Sequence, residues 1–200
     1  MRTYLSIDID YWRKFPGRVQ EDLRRTLRCA RARNVPIVAV MNHQQMLKEV
    51  NESDARRLIN IDAHSDLADS EVDELNCGTW VSYVRWRRSA EYIWLRSNTG
   101  WGGSCNWGMH SRRATAKGWS MGSDWKKVST ECQGTSLEVS TLMKGCVGVG
   151  ICMSPSWCTM SGEIVFQNLV DEFEIPYRKG TREEDNVRRK NVKPPFRKAA

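Results

Sequence analysis

The stretch Arg57-Leu58-Ile59-Asn60-Ile61-Asp62-Ala63-His64-Ser65-Asp66 runs from a mostly apolar segment of strand length into two acids and a histidine within five residues. An apolar run that ends in charge is the mark of a buried parallel strand whose carboxyl end opens on a ligand crevice. Two other segments repeat the design. Thr3 to Asp10 alternates and closes on Ser6-Ile7-Asp8-Ile9-Asp10, and Pro36 to Met41 is continuous apolar chain followed by Asn42-His43-Gln44. Between the first two, Pro16-Gly17 breaks the chain, and Val19, Leu23, Leu27 and Ala30 recur at helical spacing opposite an arginine-rich face. The alternation continues with helices expected at Gln44 to Val50, Thr79 to Arg88 and Gly162 to Phe173, and strands at Tyr92 to Arg96 and Gly145 to Cys152. The expected fold is therefore α/β, a three-layer αβα domain with a mainly parallel sheet.

Composition sets the outer limits. A chain of 200 residues suits one domain, and 40% apolar residues with nine tryptophans exclude global disorder. No window approaches the roughly 18 to 20 apolar residues that cross a bilayer, so a cytoplasmic protein without a membrane partner is expected. Seven cysteines at irregular spacing, none in a CxxC pair, read as reduced thiols and argue against a zinc knuckle. The formal charge of +7 owes much to the C-terminal stretch, so residues 1–175 are expected to form the domain and residues 176–200 a basic, flexible tail. Residues 97–125, with Trp101, Trp107, Trp119 and Trp125 among glycines and serines, match no regular element.

The chemistry lies at the three strand ends. Side chains at i and i+2 share a face of a strand, which pairs Asp8 with Asp10 and Asp62 with His64, with Asp66 on the loop beyond. Four carboxylates and two imidazoles suit a pair of Mn²⁺ ions, with other divalent transition metals as lesser alternatives. Binuclear centres place two ions about 3.5 to 4 Å apart and activate a shared water, so the expected chemistry is hydrolysis. A DxD alone is commonly a solvated strand end. Two acids and a histidine within five residues after an apolar strand are different, because such charges cannot be buried without a cation or several donors.

These motifs resemble those of a known family. Asp62-Ala63-His64-Ser65-Asp66 is similar to the DAHxD signature of the arginase and agmatinase ureohydrolases, Ser6-Ile7-Asp8-Ile9-Asp10 to their SxDxD signature, and His43 to their remaining histidine ligand. The DxD strand comes first here and last in most ureohydrolases. That order, with VMNHQQML, INIDAHSDL and LNCGTWVSY, resembles the peptide arginases, maturases that convert arginine to ornithine within ribosomally made precursor peptides. The resemblance covers about residues 1 to 175 and implies an arginase-like domain. It also implies Asp8 and Asp62 as carboxylates shared by two Mn²⁺ ions, His43 and Asp66 completing one ion, and His64 and Asp10 the other. The implied reaction is attack of a hydroxide held by both ions on the guanidinium carbon, with Asp66 relaying the proton. His110, the one histidine outside the cluster, is the candidate imidazole shuttle. Asn76 and Trp80 are the expected substrate-binding residues, holding an arginine-containing precursor peptide.

The chain departs from the arginase pattern at two places. Ala68 stands where an asparagine reads the free amino acid, and Cys152 where a glutamate binds guanidinium; Asp69, Glu91 and Glu138 are the alternative acids. Competing readings are a small-molecule ureohydrolase for free arginine, agmatine or another guanidino compound, and a metal-stabilised domain without catalysis. A nucleic-acid-binding module built on arginine and tryptophan is a further alternative, but it leaves DAHSD unexplained. Oligomeric state is open, homo-oligomers included.

Overall fold

The computed structural model describes residues 1–11, 17–62, 64–66, 75–85, 90–97, 106–113, 126–127, 132–133, 143–155 and 158–178. The strands are β1 (Thr3–Asp8), β2 (Ile37–Val40), β3 (Arg57–Ile61), β4 (Glu91–Ser97), β5 (Asn106–Arg113), β6 (Lys126–Lys127), β7 (Cys132–Gln133), β8 (Cys146–Cys152) and β9 (Tyr177–Arg178). Six of them, in the order β4-β3-β1-β8-β2-β9, pair in parallel. An antiparallel margin extends the sheet where β5 joins β4, and β6 and β7 pair with β5. The helices are α1 (Gly17–Ala32), α2 (Met46–Glu52) and α3 (Met160–Glu172), and short 3₁₀ turns occupy Ile9–Tyr11, His43–Gln45 and Trp80–Tyr83. The expected three-layer αβα arrangement is the one observed.

Strand periodicity divides the interior into two apolar layers. Leu5, Ile7, Ile59, Ile61, Val149 and Ile151 point to one face, where Val19, Leu23 and Leu27 of α1 and Phe166 and Leu169 of α3 cover them. Tyr4, Leu58, Tyr92 and Val40 point to the other, beneath Met46 and Val50 of α2 and Trp80 and Val81. The alternation then places Ser6 and Asp8 of β1, Asn60 of β3 and Asp62 just beyond it, and Cys152 of β8 on that second face. Thr159 caps α3, its Oγ1 accepting from Gly162 N at 3.2 Å, and Arg24 of α1 bonds Glu172 of α3 at 2.6 Å.

Three expectations are corrected. The domain does not stop at residue 175, because Tyr177 and Arg178 pair with Ala39 and Val40 as an edge strand, and Arg178 meets Glu49 at 2.7 Å. Residues 179–200 lie outside the described residues. The helix expected over Thr79 to Arg88 is, where described, the 3₁₀ turn Trp80–Tyr83. Asp10 and His64 do not share strand faces with Asp8 and Asp62, since β1 ends at Asp8 and β3 at Ile61. Among the described cysteines, Cys29, Cys77, Cys146, Cys152 and Cys158 are free thiols, and no described helix is long and apolar enough to cross a membrane.

The glycines of β8 carry a packing role. A Cβ on Gly148 would lie 2.5 Å from the ring of buried Tyr4, and one on Gly150 would collide with Met46 Sδ. The flat glycine face lets α2 and Tyr4 settle onto the sheet. Gly148→Ala is expected to cost about 1–3 kcal/mol by overpacking against a rigid ring, whereas Gly17→Ala, with open space around its Cβ, should be neutral within error. Urea unfolding of the two variants checks this.

Candidate metal centre

The centre is assembled at the carboxyl ends of β1, β2 and β3. Backbone turns fix the first two acids. Asp8 Oδ1 accepts the amide of Asp10 at 3.2 Å, and Asp62 Oδ1 accepts the amide of His64 at 2.8 Å, so each aspartate closes a local turn with the residue two positions on. The second oxygens are thereby aimed together. Asp8 Oδ2, Asp62 Oδ2 and Asp66 Oδ2 lie 3.1, 2.9 and 2.8 Å from His43 Nδ1, and all four side chains are buried. None of the three oxygens meets Nδ1 with hydrogen-bond geometry, so this buried nitrogen is an orphan among four potential ligands.

His43 reaches Asp8 across the end of β8, which lies between β1 and β2. The register sets Asp8 and Val40 both level with Cys152, and Ser154 N and Met153 N bind Met41 O and Val40 O as the chain leaves the strand. A small side chain at Cys152 suits the crossing. On the far side of the ring, His43 Nε2 meets Ser6 Oγ at 2.8 Å, which leaves Nδ1 to face the carboxylates. Asp66 sits in the left-handed region at φ 50, with its carbonyl accepting from Val81 N at 3.1 Å. From β4, Trp94 Nε1 donates to Asp62 O at 3.0 Å and the Tyr92 hydroxyl to Ser65 O at 2.5 Å, pinning the loop.

The electrostatics of the cluster are those of excess negative charge. Burial, then the charges of Asp8 and Asp62, pushes Asp10 up to about 9. Burial likewise raises Asp8 and Asp66, with Asp62 adding to both. Asp62 moves the other way: burial acts to raise it, but the adjacent imidazoles of His43 and His64 outweigh burial and hold it low. For His43 burial acts downward and is overcome by Asp66 and Asp8, so the ring is raised well above its usual range. Asp62, 3.7 Å from His64 Nδ1, carries that ring up to about 9. Four ionised carboxylates would outweigh two protonated imidazoles, which is why the acids hold on to protons, and among the described residues no lysine or arginine pairs with the cluster. An orphaned ring nitrogen, a buried unpartnered Asp10 Oδ1 and hard oxygen donors together fit a divalent cation.

The expected residues are placed unequally. Asp8, His43, Asp62 and Asp66 converge; Asp10 stands beside them; His64 lies at the rim, with 48% of its side chain exposed. His110 is in β5 opposite Trp94, and its ring lies outside the described residues. Asn76, expected to hold substrate, closes a turn: its Oδ1 accepts Gly78 N at 2.9 Å and its amide bonds Thr79 Oγ1 at 3.0 Å. Trp80, expected as a stacking surface, is fully buried, with Nε1 donating to Asp66 Oδ2 at 2.6 Å. Its place is behind the carboxylate. Glu91 is removed from the candidates for guanidinium binding, because it begins β4 at the opposite end of the sheet and pairs with Arg57 at 2.6 Å. Ala68, Asp69 and Glu138 lie outside the described residues. The residues missed are Ser6, Asn60 and Ser154, whose hydroxyl donates to Asp8 Oδ2 at 2.6 Å. Ser6 and Asn60 carried a signal, being polar at buried positions of otherwise apolar strands; Ser154 carried none.

A cavity of about 460 Å³ opens at the amino end of the sheet, bordered by Tyr4, Val38, Glu49, Gly148 and Arg178. It includes none of the clustered acids. No family model matches the chain, and no curated protein or solved structure matches it.

The raised groups set a pH dependence for the metal-free protein. An acid whose folded pKa lies above its unfolded value binds more protons when folded, so stability falls as pH rises between the two, and the raised histidines act with the same sign above their ordinary value. Melting temperature in chelator is therefore expected to fall from about pH 5 to pH 9, the upper end set by Asp10 and His64. Mn²⁺ should raise it most at the alkaline end, where protons no longer compete for the oxygens. Thermal scans with and without metal across this range check both trends.

Proposed function

We propose that this protein is a binuclear-metal hydrolase that acts on arginine residues within a precursor peptide, giving peptidyl-ornithine and urea. The observation that carries the reading is the convergence of three buried aspartates on the orphaned Nδ1 of His43. Asp8, Asp62, His43 and Asp66 would hold one ion, and Asp10 and His64, with the shared Asp8 and Asp62, the second. A divalent pair held there, with Mn²⁺ as the best match to these donors, would supply an acidified water and polarise the reacting group.

The remaining work falls to the chain. Four carboxylates balance two divalent charges, so a cationic guanidinium enters without net repulsion. Asp66, held by N–H groups from Trp80 and Val81, keeps one carboxylate oxygen directed by the protein and offers its other to a proton. Water oxygen bonds to the guanidinium carbon and the bond to the ornithine nitrogen breaks. Asp66 takes one proton from the water and returns it to the leaving nitrogen, and the second proton of the attacking oxygen follows as the urea carbonyl forms, so the products are urea and an ammonium side chain. The resemblance of DAHSD and SIDID to the ureohydrolase signatures supports a guanidino substrate. Support for arginine within a peptide comes from the further likeness to peptide arginases and from Ala68, at the position where enzymes for the free amino acid carry a reading asparagine.

The test is mass spectrometry of an arginine-containing peptide incubated with the Mn²⁺-loaded protein. Loss of CH₂N₂ per arginine, with little urea from free arginine, is the expected outcome; efficient turnover of free arginine would instead identify a small-molecule ureohydrolase. Asp8→Ala and Asp62→Ala should each remove turnover while leaving a folded chain. His110→Ala should cost less than the roughly 10²-fold typical of a direct acid–base group.

A further inference from the structure

We propose that Trp80 is a positioning residue of the metal centre, its indole N–H fixing the Asp66 carboxylate as a ligand, so that metal affinity depends on this one hydrogen bond. The inference rests on the metal-centre reading above and concerns how the site is held rather than what it hydrolyses. Each of the three converging oxygens carries one uncharged side-chain donor. Asn60 Nδ2 donates to Asp62 Oδ2 at 3.3 Å, Ser154 Oγ to Asp8 Oδ2 at 2.6 Å, and Trp80 Nε1 to Asp66 Oδ2 at 2.6 Å.

Asp66 needs its donor most. Asp8 ends a strand and Asp62 follows one directly, whereas Asp66 lies on the loop, in a left-handed conformation that an L-residue adopts at a cost. Consecutive residues grip it at both ends, Val81 N on its carbonyl and Trp80 Nε1 on its carboxylate. The same indole lies 4.9 Å from the His43 ring, tilted 44°, and so packs against a second ligand. An indole is suited to this place because it donates one hydrogen bond, accepts none and carries no charge. A lysine or arginine there would neutralise Asp66 and compete with the cation.

The experiment replaces Trp80 with 3-benzothienylalanine, in which sulfur takes the place of the N–H while the bicyclic shape is kept, alongside Trp80→Phe. Mn²⁺ binding is measured by titration calorimetry on the full chain, and folding by cooperative unfolding. The expected result is a roughly 10- to 100-fold weaker Mn²⁺ affinity in both variants, the usual cost of removing a partner behind a metal ligand. Wild-type affinity in the benzothienylalanine protein would overturn the proposal, since shape alone would then suffice. That variant decides the question if Trp80→Phe does not fold. A wild-type chain that binds no Mn²⁺ overturns the metal centre and this proposal together, whereas weakened binding in the variants of a chain inactive on arginine upholds the proposal and overturns only the substrate.

Discussion

Mutual repulsion among buried carboxylates is the constraint on which the rest of this structure depends. Asp8, Asp62 and Asp66 bring their oxygens to within 3.1 Å of one histidine nitrogen in an interior where charge is poorly screened. Left to themselves they would separate or take up protons. The chain opposes this with backbone amides on Asp8 and Asp62, uncharged donors on all three acids, and a serine behind the histidine. Every one of these donors is neutral, so the carboxylates are held without being paid off in charge, and the excess is left for cations.

The sheet makes the convergence possible by being low at its middle. β8 separates the strand that carries Asp8 from the strand that delivers His43, and a bulky side chain at its end would stand between them. Its sequence alternates Val149 and Ile151 on one face with Gly148, Gly150 and Cys152 on the other. One strand therefore builds a full hydrophobic layer beneath α1 and α3 and a shallow floor beneath α2. The glycines admit Tyr4 and Met46, and the cysteine suits the passage of His43 over the strand end.

Among the described residues, the site has a buried floor and a half-exposed rim. Asp8, His43, Asp62 and Asp66 are buried and each is restrained by a specific partner, while His64 is half exposed. On the proposed hydrolase reading, this division sets the geometry of the cluster before substrate arrives. Trp80 belongs to the floor. Its burial leaves no indole face open for stacking.

The sequence by itself determined the architecture and which polar residues meet at the centre of the cluster. Apolar runs closing on Asp8, His43 and Asp62 were legible because strand periodicity and strand-end chemistry are local properties of the chain. Tertiary structure alone decided what each polar group faces. Asp10 and His64 were expected on strand faces, yet each backbone turns at the strand end to give its amide to the preceding aspartate. Trp80 and Asn76 read equally well as surface or support until the fold enclosed one and folded the other into a turn. Glu91 is in the right sheet at the wrong end, a distinction set by strand direction and register. Ser154 is the clearest case. It meets Asp8 from 146 residues away, a contact specified by the pairing of β1 with β8 and not by any pattern near either residue.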